Sequence, residues 1–290
     1  MSSLIQKLLF LLRYLTSRNK KKGDNLEYLF DQWNGISRRI EKENVLLMLD
    51  YDGTLTPIKT RPEEAKLCEE TRRLLKKLKK KTALAIVSGR SLEEIKELVK
   101  IKNIVYAGNH GLEIETGKGK FVYPPALEVV PIIKGISERL RLSPIKGTQV
   151  EDKKFTVSFH YRRVSPQEIK DAKSYFNRAV SLWVREKKFE VRKGKRVLEI
   201  RPSGWDKGDA LKWIWTQLGK DLFPIYVGDD RTDEDAFETL ADKGLSVLVA
   251  RRKKRSFAEY HVRGVKDVER FLEKLFIVLN QVDGGRKSTF

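Results

Sequence analysis

Two strings in the chain set several acids directly behind an apolar run, and that placement suits covalent and metal-assisted chemistry. The first is Asp50-Tyr51-Asp52-Gly53-Thr54-Leu55-Thr56, which follows Asn44-Val45-Leu46-Leu47-Met48-Leu49. Carboxylates separated by one residue at the mouth of a strand point to the same side, so Asp50 and Asp52 can divide the labour of nucleophile and general acid/base. A solvated turn explains one such acid but not two. The second string is Gly228-Asp229-Asp230-Arg231-Thr232-Asp233-Glu234-Asp235, behind the apolar run 223–227. Crowded carboxylates repel one another unless a cation neutralises them. Oxygen-only ligands of this kind suit magnesium, which keeps waters and bridges carboxylate to phosphate. Capping of a following helix is the alternative for one or two of these acids.

Two more strand ends carry polar groups. Ser88-Gly89-Arg90 offers a hydroxyl and the backbone amide after it to a phosphate oxygen at a helix N-terminus. A helix N-cap at Ser88 or Ser91 explains the same residues equally well. In Trp205-Asp206-Lys207-Gly208 a lysine opens a helix, where its charge opposes the dipole and calls for a compensating anion. An exposed surface charge is the alternative there.

The elements that must position these groups alternate in type. Residues 44–49 read as a strand buried on both faces, 69–80 as a helix, 82–87 as a strand, 91–100 as a helix and 104–107 as a strand. Such alternation predicts a doubly wound parallel α/β sheet whose function collects at the carboxyl ends of its strands. Residues 111–123 suit a hairpin turning at Thr116-Gly117-Lys118-Gly119. Beyond Pro124-Pro125, strands near 148–161 and 189–200 flank a helix over 166–184, the pattern of a compact open-faced sandwich inserted into the first domain. The sheet pattern resumes near Pro202 with a helix over 207–218, strands over 223–227 and 245–249, and a last helix over 265–279. Ahead of all this, a helical pattern runs over 26–40. The expected organisation is a helical extension (1–40), a Rossmann-like core (41–123 and 201–282), an inserted α+β domain (124–200) and a frayed tail (283–290).

Bulk properties narrow the class. A chain of 290 residues suits a moderate catalytic domain carrying a smaller one. The net charge of +20 is compatible with nucleic acid, an anionic membrane or an anionic substrate. The basic runs 20–22, 76–81 and 251–255 lack interleaved aromatics and read as solvated faces, so no specific nucleic-acid partner is expected. Cys68 is the only cysteine, which excludes an internal disulfide and any cysteine-held metal and fits a cytoplasmic location. Residues 4–15 are apolar but are interrupted by Lys7 and Arg13 and are too short to span a bilayer. They read as an amphipathic helix with no cleavage site after it, and a peripheral membrane contact is the alternative. No transmembrane segment is expected. His110, His160 and His261 lack metalloprotease spacing, and neither Gly-x-Ser-x-Gly nor a phosphate-binding loop ending in Gly-Lys-Ser/Thr occurs.

Asp50-Tyr51-Asp52-Gly53-Thr54 followed in this order by the other three clusters resembles the haloacid dehalogenase superfamily of phosphohydrolases. The fuller strings 49–58, Glu199-Ile200-Arg201-Pro202 with Trp205-Asp206-Lys207-Gly208, and 228–234 look like trehalose-phosphate phosphatases, and the resemblance spans roughly 45–279. It implies a haloacid dehalogenase-like core with an inserted α+β cap domain. It also implies that Asp50 forms an aspartyl-phosphate while Asp52 protonates the departing sugar oxygen and later activates water. Magnesium would be held by Asp50, the backbone carbonyl of Asp52, and Asp229, with Lys207 sharing the screening, Ser88 on a phosphoryl oxygen, and Asp230 and Asp233 orienting lysine and metal waters.

The string Glu151-Asp152-Lys153 followed by His160-Tyr161-Arg162 resembles the family's sugar-binding signature. Glu151 with Lys153, and Glu199 with Arg201, lie two apart on a strand and so share a face. Carboxylate and ammonium groups suit a polyhydroxylated sugar, and a surface cross-strand ion pair is the alternative. Arg90, Arg162 and His110 in Gly-Asn-His-Gly join the substrate side by the same resemblance, with a core-facing histidine as the alternative for His110. Thr156 stands where the family more often has serine, and Val197 where a polar residue is expected. The implied activity is hydrolysis of trehalose 6-phosphate, with a trehalose-phosphate synthase as a candidate partner. The rival readings are a sister phosphatase acting on sucrose phosphate or a mannosyl or glucosyl phosphoglycerate, and a non-catalytic sugar-phosphate sensor.

Overall fold

The computed structural model of the chain describes residues 26–282 apart from Thr60, Lys195 and Lys253. The helix expected over 4–15 and the tail over 283–290 lie outside the described residues. The chain divides into two compact units, one made of the residues up to Ile86 and from Leu211 onward, the other of Val87–Ala210.

The first unit opens with β1 (Glu27–Tyr28), β2 (Val45–Leu49) and β3 (Ala83–Val87). The inserted unit supplies β4 (Val105–Gly108), β5 (Glu113–Thr116), β6 (Gly119–Val122), β7 (Gln149–Asp152), β8 (Val157–His160), β9 (Phe189–Gly194) and β10 (Val197–Pro202). The chain then returns to the first unit with β11 (Phe223–Gly228), β12 (Leu245–Val249) and β13 (Tyr260–Val262).

In the first unit the strands run parallel in the order β1-β13-β12-β11-β2-β3. Every residue of β2, β11 and β12 is buried, which is why these segments read as unbroken apolar runs. From β2 the chain proceeds to one side of the sheet, toward β3, and from β11 to the other, toward β12. The crevice beside paired β2 and β11 is therefore the topological switch point, where an open α/β sheet binds its ligands. Leu49 is in register with Val227, and the Asp50 amide donates to the Val227 carbonyl at 2.9 Å. The two acidic strings thus leave the sheet at the same level.

The helix expected over 26–40 is shorter than its pattern. Glu27–Tyr28 pairs parallel with Tyr260–His261 as the sheet's edge, Leu29–Gln32 forms a 3₁₀ turn, and the α-helix is Trp33–Ile40. A two-residue strand has no periodicity of its own, so only its pairing reveals it. Trp33 packs edge-on against Phe271 at 6.1 Å, and the Tyr28 hydroxyl donates to Asp267 at 3.0 Å. Both partners belong to the last helix, Val265–Val282.

In the inserted unit β4, β5 and β6 pair antiparallel, and Thr116 opposes Gly119 at the expected hairpin turn. Strands β7 to β10 form a separate antiparallel sheet in the order β7-β8-β10-β9. The helices Val130–Arg141 and Ile169–Arg185 share a core with it that includes Ile133, Leu140, Phe159, Phe176, Leu198 and Ile200. The first of these helices was not expected, because Pro131 and Gly135 look like breakers. Pro131 falls in the helix's first turn, where no amide hydrogen is missed, and a side chain at Gly135 would meet open space. Among the described residues, no helix is long and apolar enough to cross a membrane.

Candidate active site

The acidic group lies in the first unit. Asp50 follows β2 and is buried, and the carboxylates of Asp50, Asp229 and Asp233 each offer an oxygen within 4.8 Å of the others. At that spacing each ionised pair costs about 3 kcal/mol at an effective dielectric near 20. A group of acids this close is stable only with compensation, and its donor set consists of oxygen alone. That chemistry fits a hard divalent cation with waters completing its shell.

Part of the compensation is built in. Asp233, fully buried, accepts from the amides of Asp229 and Asp230 at 2.8 and 2.9 Å with one oxygen and from the Tyr226 hydroxyl at 2.6 Å with the other. It therefore holds the loop that presents Asp229. Asp230 turns its own carboxylate onto the amide and hydroxyl of Thr232, at 2.6 and 2.7 Å. Tyr226 was missed by sequence reasoning, since a tyrosine inside an apolar strand looks like core. Lys254 was also missed, because its run reads as a solvated loop. Its ammonium donates to the Asp229 carbonyl at 2.9 Å.

The loop after β2 shows why glycine follows Asp52. Tyr51 is fully buried, with its hydroxyl on the Ala65 carbonyl at 2.8 Å, while its own carbonyl accepts the amides of Thr54, Leu55 and Thr56. This tight turn puts Gly53 at φ 91, and a Cβ there would lie 2.2 Å from Asp229 Oδ2. Only glycine accepts both that backbone conformation and that closeness to an acid.

A second group of the expected residues lies within the inserted unit. Ser88 is buried, and its oxygen accepts the Arg90 amide at 3.1 Å. The N-cap of the helix Leu92–Val99 is Ser91, whose hydroxyl accepts the Glu94 amide at 3.3 Å, so capping does not account for Ser88. The Arg90 guanidinium pairs with Glu94 one turn on. Lys207 is 2% exposed at the start of the helix Lys207–Leu218, which removes the surface-charge reading for it. Trp205 seats that helix start: it stacks on Tyr123 at 5.0 Å and donates to the Gly111 carbonyl at 2.8 Å.

Two of the residues expected on the sugar side, His110 and Lys153, meet at Glu199. Its Oε2 lies 3.4 Å from His110 Nε2 and 3.8 Å from Lys153 Nζ, while its Oε1 is buried with no protein partner. Burial alone would raise the Glu199 pKa, but the Lys153 ammonium and His110 outweigh it and hold the carboxyl far below its usual range. Burial lowers His110, with Arg201 and Lys207 adding to the effect against Glu199. A neutral imidazole donating from Nε2 to Glu199 leaves Nδ1, which has no partner, as an acceptor. Lys153 is buried too, yet Glu199 and Glu151 keep it charged by raising its pKa, and its ammonium donates to the Gly89 carbonyl at 3.0 Å. A Cβ at Gly89 would sit 2.6 Å from the His110 ring, so only glycine lets this loop approach the histidine.

Arg201, 1% exposed, pairs through Nε with Glu190 at 2.5 Å and leaves Nη2 without a partner. Buried orphaned donors and acceptors of this kind suit a polyhydroxylated ligand. Glu151 instead pairs with His160 at 3.0 Å across β7 and β8, partly exposed, and Arg162 is exposed on the turn after β8.

A family model described as trehalose-phosphatase matches residues 48–266, which include every residue of both groups. The chain belongs to the trehalose-phosphatase family. It is 36% identical over 266 residues to the probable trehalose-phosphate phosphatase H of Arabidopsis thaliana, covering 84% of this chain and 75% of that protein. It is also similar to the crystal structure of a trehalose-6-phosphate phosphatase related protein, at 26% identity and a TM-score of 0.72 over 81% of this chain and 99% of that one. A haloacid dehalogenase-like hydrolase from Bacteroides thetaiotaomicron shares the fold at a TM-score of 0.56 and 15% identity, over 83% of this chain and all of that one. The trehalose-phosphatase chain therefore has the haloacid dehalogenase-like core with an inserted cap that its motifs imply.

Alanine at Gly53 is a direct test of the acidic group. The backbone penalty is modest, but the added methyl must displace the Asp229 carboxylate. Phosphate release by Gly53→Ala is expected to fall about a hundredfold with the fold retained, since a misplacement of about 1 Å at such a site has that effect. Unchanged rates would show that Asp229 need not stand where it does.

Proposed function

We propose that this trehalose-phosphatase hydrolyses trehalose 6-phosphate to trehalose and phosphate, with Asp50 as nucleophile and magnesium as cofactor. The observation that supports the reading most is the convergence of Asp50 and Asp229 at the switch point of the sheet.

The Asp50 carboxylate attacks phosphorus, the bond from phosphorus to the sugar oxygen breaks, and Asp52 delivers its proton to that oxygen. Asp52 then takes a proton from water, which attacks the aspartyl-phosphate, freeing phosphate and restoring Asp50. Asp50, Asp229 and the backbone carbonyl of Asp52 would hold the magnesium ion, which when bound offsets the charge that phosphate adds beside the carboxylates. Asp233 and Asp230 keep the Asp229 loop in place. Lys207 and Ser88 bind phosphoryl oxygens.

Glu199, Lys153, Arg201 and His110 read the sugar hydroxyls, and Glu151, Arg90 and Arg162 are assigned to the same ligand's periphery. Residues 124–200 serve as the cap that carries most of these readers and limits the access of water to the intermediate. A cytoplasmic setting accords with the single thiol.

The test is a phosphate-release screen of the purified chain over trehalose 6-phosphate, sucrose phosphate and mannosyl or glucosyl phosphoglycerate, with magnesium and with chelator. Trehalose 6-phosphate is expected to lead in kcat/KM by about a hundredfold or more, because a rival sugar leaves buried polar groups unpaired. Chelation is expected to lower its turnover about a thousandfold, reversibly. Preference for another sugar overturns the substrate, and full turnover in chelator overturns the cofactor.

A further inference from the structure

Asn109 is completely buried, and its backbone and that of His110 both lie in the left-handed region, at φ 49 and φ 57. Asparagine tolerates that conformation better than most residues. Its carboxamide is engaged on every side. Nδ2 donates to Glu113 Oε1 at 2.8 Å and to the Lys153 carbonyl at 3.0 Å, and Oδ1 accepts from the Thr156 hydroxyl at 3.2 Å. The carbonyl can only accept, and that orients the amide with its nitrogen toward Lys153 and Glu113.

Glu113 is buried as well, and the same oxygen accepts the amide of Leu92, the first residue of the helix that follows Ser88-Gly89-Arg90. Asn109 and Glu113 therefore tie together the start of that helix, the loop after β4 and the turn between β7 and β8. The turn carries Lys153, 3.8 Å from Glu199, and Thr156, whose hydroxyl hydrogen is given to Asn109 Oδ1. Lys153 is pinned at both ends, its carbonyl by Asn109 and its ammonium by the Gly89 carbonyl.

We propose that Asn109 is a positioning residue for sugar recognition, holding the turn 153–156 in register with the loop 88–90 so that Lys153 and Glu199 present themselves to the sugar together. The inference rests on the reading of this chain as a trehalose 6-phosphate phosphatase. Asn109 touches no substrate in this account and acts through Lys153 and Thr156.

Asn109→Asp keeps size and shape but sets an acceptor against the Lys153 carbonyl and the Glu113 carboxylate. KM for trehalose 6-phosphate is expected to rise about tenfold or more with kcat changed less than about threefold, the scale of one buried hydrogen bond turned into a repulsion. kcat/KM for p-nitrophenyl phosphate, which has no sugar to read, should stay within about twofold. A second pair of variants leaves Asn109 intact: Thr156→Val should raise the same KM, and Thr156→Ser, which keeps the hydroxyl, should not. Should Asn109→Asp fail to fold, the Thr156 pair alone decides. Equal losses on both esters, no loss on either, or identical behaviour of Thr156→Val and Thr156→Ser overturns the proposal. A wild-type chain that hydrolyses p-nitrophenyl phosphate but not trehalose 6-phosphate would instead sink the substrate reading on which it rests.

Discussion

Asp50→Asn is expected to lower phosphate release from every ester by at least about four orders of magnitude while the protein stays folded. An amide is a poor nucleophile toward phosphorus, and in the proposed reaction Asp52 is engaged in proton transfer. The same change removes one charge from three carboxylates lying within 4.8 Å of one another. Magnesium should then stabilise it less than it stabilises the wild type. Turnover near the wild-type rate would remove Asp50 from the nucleophile's role.

Glu199 separates recognition from chemistry. Glu199→Ala should reduce kcat/KM for trehalose 6-phosphate about a hundredfold and that for p-nitrophenyl phosphate only a few-fold. The carboxylate is buried, its Oε1 has no protein partner, and Lys153 and His110 hold it charged. A sugar hydroxyl meeting that oxygen gains a charge-assisted hydrogen bond, about twice as strong as a neutral one. Truncation also leaves the Lys153 ammonium buried beside a partner it has lost, at a cost of about 3–5 kcal/mol in stability. Glu199→Gln, which keeps the shape, serves as the control for that loss. It should retain the preference for losing the sugar substrate while unfolding closer to the wild type. Equal losses on both esters would take Glu199 out of the specificity site.

The two variants should behave differently because the chain segregates the tasks. The acids of the reaction leave β2 and β11 in the first unit, whereas the buried ions assigned to the sugar lie within Val87–Ala210. Asp50→Asn should be indifferent to the alcohol carried by the phosphate, and Glu199→Ala should depend on it almost entirely.

Much of the scaffold was readable from the chain because it is locally encoded. Runs such as 45–49 and 223–227 are apolar throughout since parallel strands bury both faces, and the acids behind them stand out against that background. The hairpin turn at 116–119 and the helix Lys207–Leu218 were equally plain. Elements that exist only through their partners were not. The edge strand Glu27–Tyr28 and β13 are too short to carry a period, and the helix Val130–Arg141 hides behind a proline and a glycine that its environment tolerates. The roles of Tyr226, Asn109 and Lys254 were beyond reach for the same reason, since each is defined by a hydrogen-bond partner supplied by tertiary structure.

Residue types and their order along the chain determined the fold class, the family and the strings in which the acids stand. Only the packed structure decided that Asp233 spends its carboxylate on two backbone amides and a tyrosine, that Ser91 rather than Ser88 caps its helix, and that Glu199 meets Lys153 and His110 away from water. Backbone periodicity is written over a few neighbouring residues, whereas the partner of a buried polar group is chosen by whichever distant segment folding brings within about 3 Å of it.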